Sequence, residues 1–157
     1  AKTRLLSDHI SKKIVPQYYT CLQRQEQAEQ DVAKENILTA IVTLMKEADP
    51  VGPFLIGKYF SMADIMLAPY AHRFDVVLSH FRGFQIPGQN GCENKSSETH
   101  AEEFERYAVW WAAVQGVAAY KETLQDRQRL IDSYGRYANN SVKSEVGDAI
   151  RKGTALP

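Results

Sequence analysis

Residues 54–74, FLIGKYFSMADIMLAPYAHRF, place two small polar residues, Ser61 and Asp64, inside an otherwise apolar run. Neither residue favours a helix interior, but a serine followed three residues later by an acid is the pattern of a helix capping box. With Ser61 as the N-cap, Asp64 takes the third helical position and Phe60 can pack on Ile65 as a hydrophobic staple. The pair therefore predicts the start of a buried helix, and neither residue needs a catalytic role.

Apolar residues recur at helical intervals over most of the chain, and no alternating stretch indicates a β-strand. A first helix is predicted over about 2–25, bent at Pro16, with a second over about 30–48. The third helix, starting at Ser61, is predicted to run to about residue 80 with a bend at Pro69. The apolar stripe of the first helix consists of Leu6, Ile10, Ile14 and Tyr18.

A polar, glycine-containing loop is predicted for about 81–100, and it contains Cys92, to which the sequence assigns no role. A fourth helix over about 101–114 is predicted to bury Trp111 and to leave Trp110 nearer the edge of the core. Its other core residues are predicted to be Phe104, Tyr107 and Ala108. Shorter helices that complete the domain are predicted in VAAYKETL after Gly116, in QDRQRLIDSYGRYANN and in SVKSEVGDAIRKG.

Length and charge limit the function. The 157 residues suffice for one domain, 1–157, and 19 basic residues balance 19 acidic ones, which argues against nucleic acid and anionic membranes as partners. Cys21 and Cys92 form no metal-ligand pattern, and the four histidines show no paired spacing, so no metal site is predicted. Cysteine usage and the lack of a signal peptide or a long apolar span indicate the cytoplasm.

Tyrosines beside prolines form the candidate binding residues. Tyr19 follows Pro16 on the first helix, Tyr70 follows Pro69 on the third, and Arg73 lies one turn beyond Tyr70. A proline bend opens space beside a helix, and aromatic rings with polar tips suit the wall of a ligand cleft. The alternative, that these tyrosines are ordinary residues at the rim of the core, stays open.

Three segments resemble a known family. GPFLIGKYFSMADIMLAPYAHRF resembles the segment with which the C-terminal domains of cytosolic glutathione transferases begin their central helix, through a short apolar loop, a glycine and an S/T-x-x-D box. DHISKKIVPQYY resembles the first helix of that domain in omega-like members, particularly fungal ones, and SEVGDAIRKGTALP is similar to their tail. The resemblance covers essentially the whole chain and implies an all-α fold, a helical bundle of this C-terminal domain type.

The resemblance also implies that the catalytic residue and the glutathione site belong to another domain. In this family an N-terminal thioredoxin-like domain binds glutathione and carries the catalytic residue, a cysteine in omega-like members. No βαβ pattern occurs in this sequence, so the thioredoxin-like domain is expected to be absent from it. We therefore expect no catalytic residue and no cofactor in this chain, and glutathione as the co-substrate of the intact protein.

The family pattern points to Pro16, Tyr19 and Gln23 on the first helix, and to Tyr70 and Arg73 on the third, as the wall of a site for a small apolar or aromatic co-substrate. Expected partners are the missing thioredoxin-like domain and, through the first two helices, a second copy in a homodimer. Two other functions remain open: a non-catalytic helical assembly module and a binder of hydrophobic ligands.

The capping box gives the first testable prediction. Ser61→Ala should lower the free energy of unfolding by roughly 0.5–2 kcal/mol, and Asp64→Ala by a comparable amount, because each removes half of a helix cap. Thermal and denaturant unfolding of both variants measure the loss. Unchanged stability in both would mean that the helix starts elsewhere.

Overall fold

The computed structural model describes residues 1–89 and 98–157, and the regular elements in that part of the chain are all helical. Its β-type pairing is limited to an isolated bridge between Phe54 and Gly57. The predicted all-α class is therefore confirmed. Cys92 and part of the predicted loop at 81–100 lie outside the described residues. Within the described ranges, no helix has the length and apolar character that crossing a membrane requires.

The helices follow the predicted order, with ends within about four residues of those predicted. Helix α1 is a continuous run of α-helical Lys2–His9, π-helical Ile10–Ile14 and α-helical Val15–Gln23. Helix α2 is Gln27–Glu47, and α3 joins α-helical Met62–Arg73, π-helical Phe74–Leu78 and α-helical Ser79–Arg82. A 3-10 turn at Glu98–His100 precedes α4 (Ala101–Gly116), α5 (Ala118–Thr123), α6 (Arg127–Ala138) and α7 (Glu145–Lys152).

The π-helical turn in α1 explains how its apolar stripe stays on one face. Leu6, Ile10, Ile14 and Tyr18 are all buried, as predicted. They are spaced by four residues, so in a helix of 3.6 residues per turn the stripe would drift around the axis. Because a π turn takes in one residue more than an α turn, the segment Ile10–Ile14 cancels most of that drift. A bend was predicted at Pro16, and the irregular part of α1 is this π-helical turn, which ends two residues before the proline.

Helix α3 lies in the middle of the bundle, where it packs against α1, α4 and α6. From Ala63 to Leu78 it buries mostly small and aliphatic side chains, together with the ring of Phe74. Asp64, on its first turn, is the exception, because this acidic side chain is completely buried. A charge at such a position is stable only when its oxygens are well supplied with hydrogen-bond donors.

Donors reach both carboxylate oxygens of Asp64. Oδ2 accepts from the Ser61 N–H at 2.8 Å and from the Ser61 hydroxyl at 2.5 Å. Oδ1 accepts from the Leu55 N–H at 2.9 Å and from the Trp110 indole N–H at 2.8 Å. The predicted capping box is present. The two bonds to Oδ1 go beyond that prediction, because they connect the helix start to the preceding loop and to α4.

The position predicted for Trp110 was wrong. Its side chain is fully buried, because its indole N–H reaches inward to Asp64. Trp111 is buried as predicted, and its indole N–H donates to Asp75 Oδ2 at 2.9 Å. Ala108, predicted in the core, is only partly buried. Apolar spacing identified this face of α4 but not the polar partner that draws Trp110 inward.

The loop before α3 is fixed from both sides. The Arg106 guanidinium of α4 donates to the carbonyl oxygens of Asp49, Gly52 and Phe54 at 2.9–3.0 Å. Gly52 passes so close to Gly57 that a Cβ atom would lie 2.2 Å from the Gly57 carbonyl carbon, so only glycine fits there. These contacts therefore hold the loop before Ser61 in one conformation.

This geometry revises the stability prediction for Asp64. Asp64→Ala leaves the Leu55 N–H, the Ser61 N–H and the Trp110 indole N–H without their acceptor, so we expect a loss of about 3–5 kcal/mol, clearly more than for Ser61→Ala. Denaturant unfolding of the Asp64→Ala and Trp110→Phe single and double variants should give a coupling energy of about 1–3 kcal/mol. Additive losses would show that the bond between the two side chains contributes nothing to stability.

Candidate functional site

Five tyrosines from three helices meet at one side of the bundle; we call Tyr18, Tyr19, Tyr70, Tyr134 and Tyr137 the tyrosine cluster. Tyr18 lies at its centre, with ring centroids 5.4 Å from Tyr70 and 6.0 Å from Tyr134 in edge-to-face geometry. Tyr19 lies 5.6 Å from Tyr137, with the two rings tilted by 47°, and 6.5 Å from Tyr70 in edge-to-face geometry. Edge-to-face contacts of this kind stabilise aromatic groups beyond simple burial.

Burial keeps three phenols of the tyrosine cluster, those of Tyr18, Tyr19 and Tyr70, in the neutral form. Burial raises the pKa of Tyr19 and Tyr70, and it raises the pKa of Tyr18 well above the ordinary value. Tyr18 is completely buried, whereas Tyr19 and Tyr70 are half-buried and remain accessible. These side chains can therefore hold a ligand through ring contacts and neutral hydrogen bonds, but they cannot supply a phenolate at physiological pH.

Arg73 joins the tyrosine cluster to a neighbouring cleft. Its Nε donates to the Tyr134 hydroxyl at 2.8 Å, and Nη1 donates to the Pro69 carbonyl oxygen at 2.7 Å. The guanidinium carbon lies 5.8 Å from the ring centroid of Tyr70 and 5.5 Å from that of Tyr134, within cation–π range. The structure thus brings together three of the predicted site residues, Tyr19, Tyr70 and Arg73.

The cleft has a volume of about 440 Å³ and lies between α3 and the segment that includes α5 and the start of α6. Its size falls within the range of small-molecule sites. Apolar side chains dominate the walls, and polar groups are fewer. The lining consists of Phe60, Ile65, Ala68, Pro69, His72, Arg73, Ala119, Tyr120, Thr123, Leu124, Gln125 and Leu130. Phe60 and Ile65, the predicted hydrophobic staple, both lie on this wall.

The other two predicted site residues lie elsewhere. Pro16 lines a separate cleft together with Thr20 and Leu156. Gln23 is buried, and its amide nitrogen donates to Asn140 Oδ1 at 2.9 Å and to the Gly147 carbonyl oxygen at 2.7 Å. In this structure Gln23 therefore attaches the segment around α7 to α1. A contact of Pro16 or Gln23 with a co-substrate stays a prediction.

The sequence patterns did not single out Tyr134 and Tyr137. The two residues are three apart on α6, and Tyr134 follows the buried Leu130 by four, so helical spacing places them on the inward side. That signal was available in the sequence. What the sequence lacked was any indication that this side of α6 packs against Tyr18 and Tyr19 of α1.

Cys21 is the cysteine that the described residues contain, and it is buried on α1. Burial raises the pKa of its thiol to about 11. A thiol nucleophile needs a lowered pKa and access to its substrate, and Cys21 has neither. In residues 1–89 and 98–157 there is also no group of three or more His, Cys, Asp or Glu side chains that could hold a metal ion.

Comparison with known proteins gives a consistent result. The sequence profile of the family described as glutathione S-transferase, C-terminal domain, matches residues 25–120. The probable glutathione S-transferase DHAR1, cytosolic, of Oryza sativa subsp. japonica is 37% identical over 57 residues, which are 36% of this chain and 27% of that protein. Glutathione S-transferase L2, chloroplastic, of Arabidopsis thaliana is 33% identical over 85 residues, which are 54% of this chain and 24% of that protein.

A solved structure matches over a larger part of the chain. The crystal structure of glutathione transferase Omega 3C from Trametes versicolor superposes with a TM-score of 0.67 and 25% sequence identity. The match covers 86% of this chain and 51% of that one. The chain thus spans about half of this structure and about a quarter of the two plant proteins.

The environment of Cys21 leads to a prediction about its reactivity. In a Cys92→Ser variant, Cys21 should react with iodoacetamide at pH 8 at least about 100-fold more slowly than in denatured protein, because about one thiol in a thousand is ionised when the pKa is about 11. Mass spectrometry over time measures the modification. Equally fast labelling of the folded protein would show that the thiol is accessible and activated.

Proposed function

The chain belongs to the glutathione S-transferase C-terminal domain family, and from this premise we propose that it is the helical domain of an omega-like glutathione transferase. In the intact protein this domain would form one wall of the co-substrate site. The reaction would be glutathione-dependent thiol transfer or conjugation, with little or none in this chain alone. The structural likeness to a fungal omega transferase supports the omega-like assignment.

The observation that carries this proposal is the junction of Arg73 with the tyrosine cluster at the edge of an apolar cleft. Half-buried Tyr19 and Tyr70 do not line the cleft themselves, but in the tyrosine cluster next to it they offer ring faces and neutral hydroxyl groups to an aromatic compound. The guanidinium of Arg73 is held in place by the Tyr134 hydroxyl and the Pro69 carbonyl oxygen. This arrangement suits the binding and orientation of a co-substrate, while bond formation requires a nucleophile from elsewhere.

We assign that nucleophile and the glutathione site to an N-terminal thioredoxin-like domain, the proposed partner of this chain. The buried, protonated Cys21 thiol supports this division, because it is unsuited to attack a disulfide or an electrophile. Homodimerisation through α1 and α2 is part of the same proposal. We place the intact protein in the cytoplasm, in keeping with the description of the rice relative as cytosolic, although the Arabidopsis relative is described as chloroplastic.

A second candidate function is the binding of hydrophobic ligands without catalysis. The specific observation in its favour is that the cleft is formed within this chain, by α3, α5 and α6. The two functions differ in one measurable respect, because only the first requires glutathione-dependent turnover in the intact protein.

The test begins with the coding sequence upstream of the Ala1 codon, followed by expression of the protein that it encodes together with this chain. We expect a thioredoxin-like domain with an early cysteine, and glutathione-dependent thiol-transfer activity. Tyr70→Ala should raise KM for an aromatic co-substrate by about tenfold while changing Tm by only a few degrees, because half-buried Tyr70 contributes more to the site than to the core.

Tyr59→Ala is the matched control, because Tyr59 is exposed on the loop before α3 and lies outside the tyrosine cluster. It should leave KM unchanged. An intact protein with no glutathione-dependent turnover of any thiol-transfer substrate would contradict the proposed function. A large loss of stability in Tyr70→Ala without any change in KM would instead make Tyr70 an ordinary core residue.

A further inference from the structure

We propose that the cleft beside Arg73 selects ligands that combine an aromatic or apolar body with an anionic group, such as aromatic carboxylates. The inference rests on the proposed function, because Arg73 belongs to the proposed co-substrate wall, and it narrows the class of co-substrate. Three features of the cleft support it: an apolar part with exposed walls, a cationic group without an acidic partner, and fixed positioning of that cation.

The apolar part of the cleft lies between α3 and the turn that follows α5. Phe60, Ile65 and Pro69 form one wall, and Leu124 lies on the other. Ile65 and Leu124 remain 51% and 43% exposed. A planar aromatic body placed between them would remove this apolar surface from water, which is the main source of affinity in small-molecule sites.

The cationic group is the half-buried guanidinium of Arg73. Both of its hydrogen bonds go to neutral oxygens, the Tyr134 hydroxyl and the Pro69 carbonyl. Among the described residues, no carboxylate pairs with Arg73, and its second terminal nitrogen, Nη2, has no acceptor. Arginine at the edge of an apolar site binds a carboxylate strongly, because the charge-assisted hydrogen bonds form where water is scarce.

The neighbouring ionisable groups do not cancel this charge. His72 lines the same part of the cleft, and burial lowers its pKa, so it is neutral at pH 7 and can donate or accept one hydrogen bond. Arg127 lies close enough to lower that pKa further. The nearby acid is Asp75, whose Oδ2 accepts from Trp111 and which does not line the cleft. Among the described residues that line the cleft, Arg73 is therefore the charged one, and the charge that the lining presents is positive.

Positioning comes from the tyrosine cluster. With Nε bonded to Tyr134 and Nη1 bonded to Pro69, the plane of the Arg73 guanidinium is fixed while Nη2 stays available. A preorganised donor loses little rotational freedom when an anion binds, which increases the preference for the anion over a neutral ligand. Tyr134 is therefore a positioning residue for Arg73.

The experiment compares two probes that have the same aromatic body and nearly the same shape, of which one is anionic and the other neutral. Isothermal titration calorimetry of the 157-residue chain at pH 7 should show 2-naphthoate binding about 10- to 100-fold more tightly than the neutral 2-naphthamide. Arg73→Met should abolish this preference and leave 2-naphthamide binding within about twofold. Arg4→Met is the matched control, because Arg4 is exposed and does not line the cleft, and it should leave both affinities unchanged.

A second pair of variants keeps the test decisive if Arg73→Met fails to fold. Ala119 is exposed and lines the cleft, so Ala119→Trp should fill it and weaken both probes without disturbing the core. Tyr134→Phe removes the acceptor of Arg73 Nε and should reduce the preference for 2-naphthoate while 2-naphthamide affinity stays constant. Circular dichroism and thermal unfolding establish that each variant is folded.

Equal binding of the two probes to the unmodified chain would overturn the inference. So would a preference that survives Arg73→Met, or unchanged affinities in Ala119→Trp. These measurements need neither glutathione nor turnover, so they are independent of the test of the proposed function. Missing transferase activity in the intact protein would overturn the proposed function alone, and the absence of anion selectivity would overturn this inference alone.

Discussion

The hydrogen bonds of the buried Asp64 carboxylate set the start of α3 and its packing against α4. A charge with no access to water is tolerated because donors from three parts of the chain reach it: the helix cap at Ser61, the loop at Leu55 and the indole of Trp110 on α4. These bonds fix where α3 begins and how it is rotated against α4. Arg106, which holds the same loop by its carbonyl oxygens, removes the remaining freedom.

The position of the candidate site follows from the residue at which α3 begins. Arg73 lies nine residues after Asp64 on the same helix, so its place relative to α1 and α6 is determined once the helix start is set. Around it, phenols that burial keeps neutral and a guanidinium bonded only to neutral oxygens form a surface suited to binding. The buried acid Asp64 and the proposed binding residue Arg73 are thereby separated by about 14 Å along the axis of α3.

Local patterns in the sequence were enough to predict the helices, the capping box and the stripe of α1, because each depends on residues within a few turns of one another. The features that escaped prediction are long-range. Trp110 and Asp64 are 46 residues apart, and Arg73 and Tyr134 are 61 residues apart. Helical spacing indicates which side of α6 faces inward, but it does not identify the helix that this side meets. Gln23, whose amide donates to the carbonyl oxygen of Gly147 in α7, shows the same limit, because the two residues are 124 positions apart.

The π-helical turn of α1 makes the geometry of the tyrosine cluster depend on the helix type at one place. If Ile10–Ile14 became ordinary α-helix with all five residues kept, everything after it would rotate by about 100°, the turn of one residue. Tyr18 would then face a different neighbour, although the composition and hydropathy of the chain would be the same. Deletion of one residue in this stretch would instead remove the extra residue of the π turn, so an α1 that is one residue shorter and wholly α-helical is compatible with the same cluster.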